Sequence, residues 1–319
     1  MIQLAQNNWR GHSPATKDKE MLIILKQLSV LYLFLLLGYL FGKRSREQTE
    51  HTGILSFLLV NLFLPSKVFN TFSQNFTVSY ITENGKTILI SVVFLLAIIG
   101  FSLAVAKCLT KNDYEQRVYR YSLTLANYAY MGYALCESVF GASGLTDLIL
   151  FCIPFAIYTY TFGYAMLTGK GKMLKKLVNP MTVAIALGIV FGLTGFEVPE
   201  IFATILSGSS ACVAPLSMLL TGLTLSAFTM RELVRDYKAY VLAGIRLIVL
   251  PALVFAACRL FELDSVIMPA VMMSCMPCGL NTIVFPKLVN EDCRLGAKLC
   301  LLSHLFSIAT IPFWLSLVK

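Results

Sequence analysis

Between Thr87 and Ala106 the chain runs for about twenty residues without a charged side chain, and Leu148 to Thr168 does the same. A helix of that length is about 30 Å long, which matches the hydrocarbon core of a bilayer. Eight further runs read the same way: Met21 to Gly42, Ile54 to Phe72, Tyr121 to Phe140, Pro180 to Phe196, Ile201 to Met230, Tyr240 to Cys258, Ser265 to Leu288 and Leu299 to Val318. The expectation is an all-α integral membrane protein of about ten transmembrane helices, here numbered as spans 1 to 10. Composition agrees, because 57% of the 319 residues are hydrophobic and 13% charged, against about 25% charged in soluble domains. One soluble core could not hide so much apolar surface. The nine cysteines lie mostly inside apolar runs, where a free thiol behaves as a small hydrophobe, so no disulfide framework is expected.

The formal net charge of +9 marks orientation rather than a nucleic-acid partner. Loops after odd-numbered spans hold seventeen Lys and Arg (43, 44, 46, 107, 111, 117, 120, 170, 172, 175, 176, 231, 235, 238, 287, 294, 298), and the opposite face holds six (10, 17, 19, 86, 259, 319). With an even number of spans, this bias places the odd loops in the cytoplasm and both termini outside, in a plasma (inner) membrane. Residues 1–20 are polar and lack the apolar core of a signal peptide. They read as a tail, or as an extension from an upstream start codon with Met21 as the alternative start.

A shift of 150 residues lays Leu37 to Gly42 over Leu187 to Gly192, Pro65 over Pro215, and Asn127 to Gly132 over the stretch Pro277 to Asn281. Two halves are therefore expected, residues 21–170 and 171–319, each of five spans. Five is odd, so the halves must be inverted relative to each other. Spans 4 and 9 carry the most informative segments: Asn127, Tyr128, Ala129, Tyr130, Met131 and Gly132 in one, Cys275 to Asn281 in the other. Pro277, Gly132 and Gly279 interrupt the helical ladder at mid-membrane, where lipid cannot satisfy the freed backbone groups. Such a break is either a packing kink or the wall of a cavity. In a cavity the resumed helix starts with unpaired N–H groups and a positive dipole end, a seat for a carboxylate, with Asn127 and Asn281 adding amide donors.

Few ionisable residues fall well inside the spans, and Lys67, Glu137, Arg246 and His304 are functional candidates by their insertion cost. Lys67 and Glu137 lie in outer halves, where they either snorkel or pair with each other. Arg246 belongs either to an anion path or to a structural pair, and His304 either relays protons or packs through a hydrogen bond. No carboxylate pair faces the centre, so the fixed charge is mainly cationic and favours an anionic substrate over a metal ion. The CxxC of Cys275 and Cys278 has neither a second CxxC nor a nearby His. No GxSxG, HExxH, Walker loop or GxGxxG occurs, so no enzyme, cofactor or metal is expected.

In these features the chain resembles the auxin efflux carrier family, which includes bacterial malate and malonate permeases. The resemblance is carried by Asn61 to Pro65, Asn179 with Pro180, Ala214 to Leu216 followed by Thr221 to Leu225, Arg246 to Pro251, Pro277 to Asn281, and Ser303 to Pro312. It implies two inverted five-helix repeats, a scaffold of spans 1, 2, 6 and 7, and a transport domain whose broken spans 4 and 9 cross at the substrate site. Residues Asn127, Tyr128, Tyr130, Gly132, Pro277, Gly279 and Asn281 would then line the site. An elevator-like movement and a homodimer follow from the same likeness. The chain departs from many relatives in having no proline at the first crossover. The expected activity is secondary transport of a small organic anion such as malate, with H+ or Na+ as coupling ion. A sodium-coupled bile-acid-type symporter of similar architecture, or a non-transporting sensor of the same anion, are the alternatives.

Overall fold

A computed structural model describes residues 14–44, 48–168, 178–229, 231–232 and 235–318. Residues 1–13 of the expected tail, and Arg46, Lys170, Lys172, Lys175, Lys176 and Lys319 of the charge count, lie outside the described residues. Every regular element among the described residues is helical. Six helical stretches are long and apolar enough to cross a membrane: Thr52–Asn75, Thr82–Leu109, Ser143–Leu167, Glu200–Ser226, Tyr237–Leu260 and Arg294–Leu317. The first helix, α1 (Pro14–Arg44), starts before Met21, so its axis includes the last residues of the polar opening segment.

Then come α2 (Gln48–Leu58), a π turn at Leu59–Phe63, α3 (Leu64–Asn75), α4 (Val78–Leu109) and α5 (Asp113–Thr124). A second π turn, Tyr128–Gly132, leads into α6 (Tyr133–Tyr158). Gly141, at φ +72°, divides α6 into the end of span 4 and the start of span 5, in a backbone region that L side chains disfavour. A π turn at Thr159–Gly163 precedes α7 (Tyr164–Leu167). There follow α8 (Pro180–Thr194), α9 (Glu200–Ser226) and α10 (Tyr237–Gly244). A π turn at Ile245–Val249 joins α10 to α11 (Leu250–Leu260). The chain closes with α12 (Ile267–Cys275), α13 (Asn281–Leu288) and α14 (Arg294–Leu317).

Two of the π turns end just before Pro65 and Pro251. Proline has no N–H for the carbonyl four residues earlier and crowds it, so the preceding turn widens. At Pro251 the carbonyl so released is that of Leu247, and the Trp314 indole N–H on α14 donates to it at 2.8 Å.

The glycines of the repeated motif explain how the helices group. A Cβ on Gly38 would stand 2.2 Å from the Leu219 carbonyl oxygen, one on Gly42 1.9 Å from Ser226 Oγ, and one on Gly222 2.0 Å from the Leu35 carbonyl oxygen. These absent side chains let α1 and α9 touch backbone to backbone, as small residues do between membrane helices. Gly188 and Gly192 of α8 make the corresponding approach to α3, at Phe72 and at the Phe76 carbonyl. Thus α1, α3, α8 and α9 form one packed group. The other group has α4 against α5 and α6, α11 against α12, and α10 and α12 against α14. Its polar ends are tied by Lys238 to Glu115 and Lys298 to Asp236, both at 3.3 Å. Large apolar side chains on α1, α4 and α9, among them Leu33, Leu40, Leu89, Leu96, Ile201 and Phe202, are exposed. That is the surface lipid would cover.

Candidate functional site

Spans 4 and 9 are both interrupted, and the interruptions cross. Helix α5 stops at Thr124, and Leu125 turns extended. Helix α12 stops at Cys275, and Met276 turns extended before Pro277. The two extended stretches form an antiparallel bridge between Ala126 and Cys278, with the Asn127 N–H donating to the Pro277 carbonyl at 2.8 Å. Gly279 permits this crossing, since a Cβ there would lie 3.3 Å from the Leu125 and 3.4 Å from the Ala126 carbonyl oxygens. Gly132 lies against Met276, its missing Cβ 3.3 Å from that side chain.

Breaking a helix in a dry interior leaves carbonyls at one end and amides at the other. Arg246 deals with the carbonyls. It is fully buried on the π turn between α10 and α11, and all three guanidinium nitrogens donate to backbone. Nη1 reaches the Leu123 carbonyl at 2.8 Å, Nη2 that of Met273 at 3.2 Å, and Nε that of Met276 at 3.0 Å. One cation therefore caps the C-terminal, negative ends of both half-helices. Its partners are backbone carbonyls and not a carboxylate, so the structural alternative is the one these bonds favour.

On the amide side, the Cys278 N–H donates to Ser303 Oγ on α14 at 3.0 Å. The Asn281 carboxamide is held between two tyrosines, accepting from the Tyr130 hydroxyl at 2.7 Å and donating to the Tyr121 hydroxyl at 3.0 Å. Asn127 Nδ2 lies 2.9 Å from His304 Nε2, while His304 Nδ1 lies 2.7 Å from the Cys300 carbonyl. A carbonyl can only accept, so Nδ1 carries the proton and Nε2 is the acceptor for the Asn127 amide. Asn127 Oδ1 is buried without a hydrogen-bond partner. The sequence candidates Asn127, Tyr130, Gly132, Pro277, Gly279, Asn281, Arg246 and His304 thus gather at one crossing.

Lys67 and Tyr128 lie on its flank. They line a small cleft, with Thr71, Tyr133 and Tyr160, between α3 and the resumed span 4. Lys67 Nζ donates to the Ala129 carbonyl at 2.8 Å and stands 5.7 Å from the centre of the Tyr133 ring, within cation–π range. No carboxylate of the described residues pairs with it. Glu137, offered by the sequence as its partner, is exposed on α6, so this pairing is absent. The physical reason is reach: the Lys67 stem turns toward the crossover, where a carbonyl beside the helix break is close at hand. Tyr121, Tyr133 and Tyr160 were not singled out by sequence reasoning, and Ser303 only as the start of a family-like stretch. The partners of these side chains come from distant positions, so a tyrosine in an apolar run carries no signal of its own beyond its polar hydroxyl.

Helices of membrane length, two interrupted stretches that cross, and Arg246 and Lys67 at the crossing are features of a membrane transport architecture. Comparison with known families agrees. The profile of the family described as membrane transport protein matches twice, over residues 23–176 and 168–315. The chain belongs to this family, the auxin efflux carrier family. An uncharacterized transporter of Methanocaldococcus jannaschii is 26% identical over 299 residues, covering 89% of this chain and 96% of that protein. An uncharacterized transporter of Methanothermobacter thermautotrophicus is 24% identical over 298 residues, covering 90% and 95%. The family is one of membrane transporters and not of enzymes.

Proposed function

We propose that the protein is a secondary carrier of a small organic anion, a carboxylate or dicarboxylate such as malate. It works with ten spans in two inverted five-helix halves, residues 21–170 and 171–319, in a plasma membrane with both termini outside. The observation that carries the reading is the crossover: Arg246 neutralises both C-terminal helix ends, so the positive N-terminal ends beside Tyr128 and Asn281 are left to attract an anion, next to Lys67. The inverted repeat is supported by the packing of α1 on α9 and α8 on α3, which exchange under the 150-residue shift, and by the two successive family matches.

Movement of one helix group against the other supplies alternating access. The hydrogen bonds joining the groups suit that role, because each runs from a side chain to a backbone carbonyl: Tyr32 hydroxyl to His304 carbonyl at 2.5 Å, Lys67 to Ala129, and Asn179 amide to Tyr160 carbonyl at 2.9 Å. The two neutral bonds are worth about 1 kcal/mol each, and the one from the Lys67 ammonium about 1.5 to 3 kcal/mol. The scaffold group would also provide a homodimer interface.

The test is uptake of labelled malate, malonate and lactate into proteoliposomes, with and without a pH gradient and with and without sodium. Saturable uptake of one anion that falls at least about tenfold in Lys67→Met and Asn281→Ala supports the reading. Tight binding without flux would move it to a sensor, and sodium-dependent flux to a sodium symporter.

A further inference from the structure

The Asn127–His304 pair holds more than a packing contact. His304 is buried, its Nδ1–H is committed to the Cys300 carbonyl, and Nε2 accepts from Asn127 Nδ2. The other end of the same carboxamide, Oδ1, is buried without a partner, a cost of about 1 to 3 kcal/mol that a purely structural pair has no reason to carry. If Nε2 takes up a proton it becomes a donor, and the amide facing it becomes a clash of donors. Turning the carboxamide over relieves this: Oδ1 accepts from Nε2–H, and the two N–H groups of Nδ2 move to where the unpartnered oxygen stood.

We propose that His304 and Asn127 form a proton–anion coupling switch, in which protonation of His304 turns the Asn127 carboxamide over, so that the end facing away from the ring changes from an acceptor oxygen to an amide with two N–H donors for a substrate carboxylate. The inference rests on the organic-anion reading above and names its coupling ion as H+. The proton balance is simple: one proton enters at Nε2 with each carboxylate bound, and leaves with it on the other side. No covalent bond changes. The groups facing His304 leave it as the titrating member. From α1 comes the Tyr32 ring, edge-on at 6.4 Å, with its hydroxyl on the His304 carbonyl and Ser307 Oγ. From its own helix come the Cys300 carbonyl and, one residue before His304, Ser303, whose hydroxyl takes the Cys278 backbone N–H from the crossover. No carboxylate of the described residues bonds to the ring.

The experiment has two arms. In proteoliposomes, malate uptake by the wild type should rise as the outer medium is acidified, by up to about tenfold per pH unit, with protons entering alongside. His304→Gln should still exchange malate, more slowly, with no response to pH and no proton entry. A variant that keeps the wild-type pH response overturns the proposal. Independently, nitrogen-labelled histidine spectra distinguish the three histidines, His12, His51 and His304, by difference against His304→Gln. They should show the Nδ1–H tautomer at neutral pH and the imidazolium, bonded to Asn127 Oδ1, on acidification or anion binding. A His304 that stays neutral throughout overturns the switch whatever is transported. A panel in which no anion moves overturns the carrier reading, and the spectra still decide the proton site.

Discussion

The two interruptions that cross at the centre are made differently. In span 9, Pro277 lacks an N–H and biases Met276 toward extended backbone, so the break is written into the local sequence. In span 4 no proline stands between Thr124 and Gly132, and the chain leaves and re-enters helix through extended Leu125 and a π turn. What holds this break open is partly the other break: the Asn127 N–H bonds the Pro277 carbonyl, and Arg246 bonds the Leu123 carbonyl. A proline in one span therefore shapes a site in another, 150 residues earlier. It follows that the first break is the more deformable of the two, and the one better suited to respond to a ligand.

Arg246 serves both breaks, so its removal should have the largest effect. Arg246→Met leaves three buried carbonyls unpaired at about 1 to 3 kcal/mol each, and the protein should lose its thermal transition in size-exclusion melts or fail to express. Arg246→Lys, with a point charge in place of a planar fork, should recover only part of the stability. Next comes Gly279→Val, whose methyls meet the Leu125 and Ala126 carbonyls; separating the crossing should cost about 1 to 3 kcal/mol and abolish transport while the outer helices remain folded. If this variant transports normally, the crossing is not the site.

Smaller effects distinguish the breaks. Ser303→Ala removes the acceptor of the Cys278 amide and touches only the span 9 break, so a melt should fall by an amount matching about 1 to 3 kcal/mol. Asn127→Ala removes the amide on His304 and should reduce transport more than stability, because one end of that amide is already unpaired. Glu137→Gln, on an exposed carboxylate, should stay within about 0.5 kcal/mol of the wild type and transport as well. A transport defect there would restore a role for Glu137 that the geometry does not give it.

Much of this was readable before any coordinates. Apolar runs located the helices, because lipid tolerates no other unpaired backbone, and Pro277, Gly132 and Gly279 located the breaks. Asn127, Asn281, Arg246 and His304 were conspicuous because polar groups in such runs are expensive. Their partners were not readable. Lys67 turns to a backbone carbonyl and not to Glu137, and Arg246 to three carbonyls that carry no side-chain signature. Asn127 and His304 stand 177 positions apart, and Asn281 meets Tyr121 across 160.

The sequence by itself determined that the chain is helical, has helices of membrane length and is interrupted in two places, since hydrophobic length and helix-breaking residues act locally. Only the tertiary structure decided which group satisfies each broken end. A backbone carbonyl is the same at every position until folding sets a donor beside it.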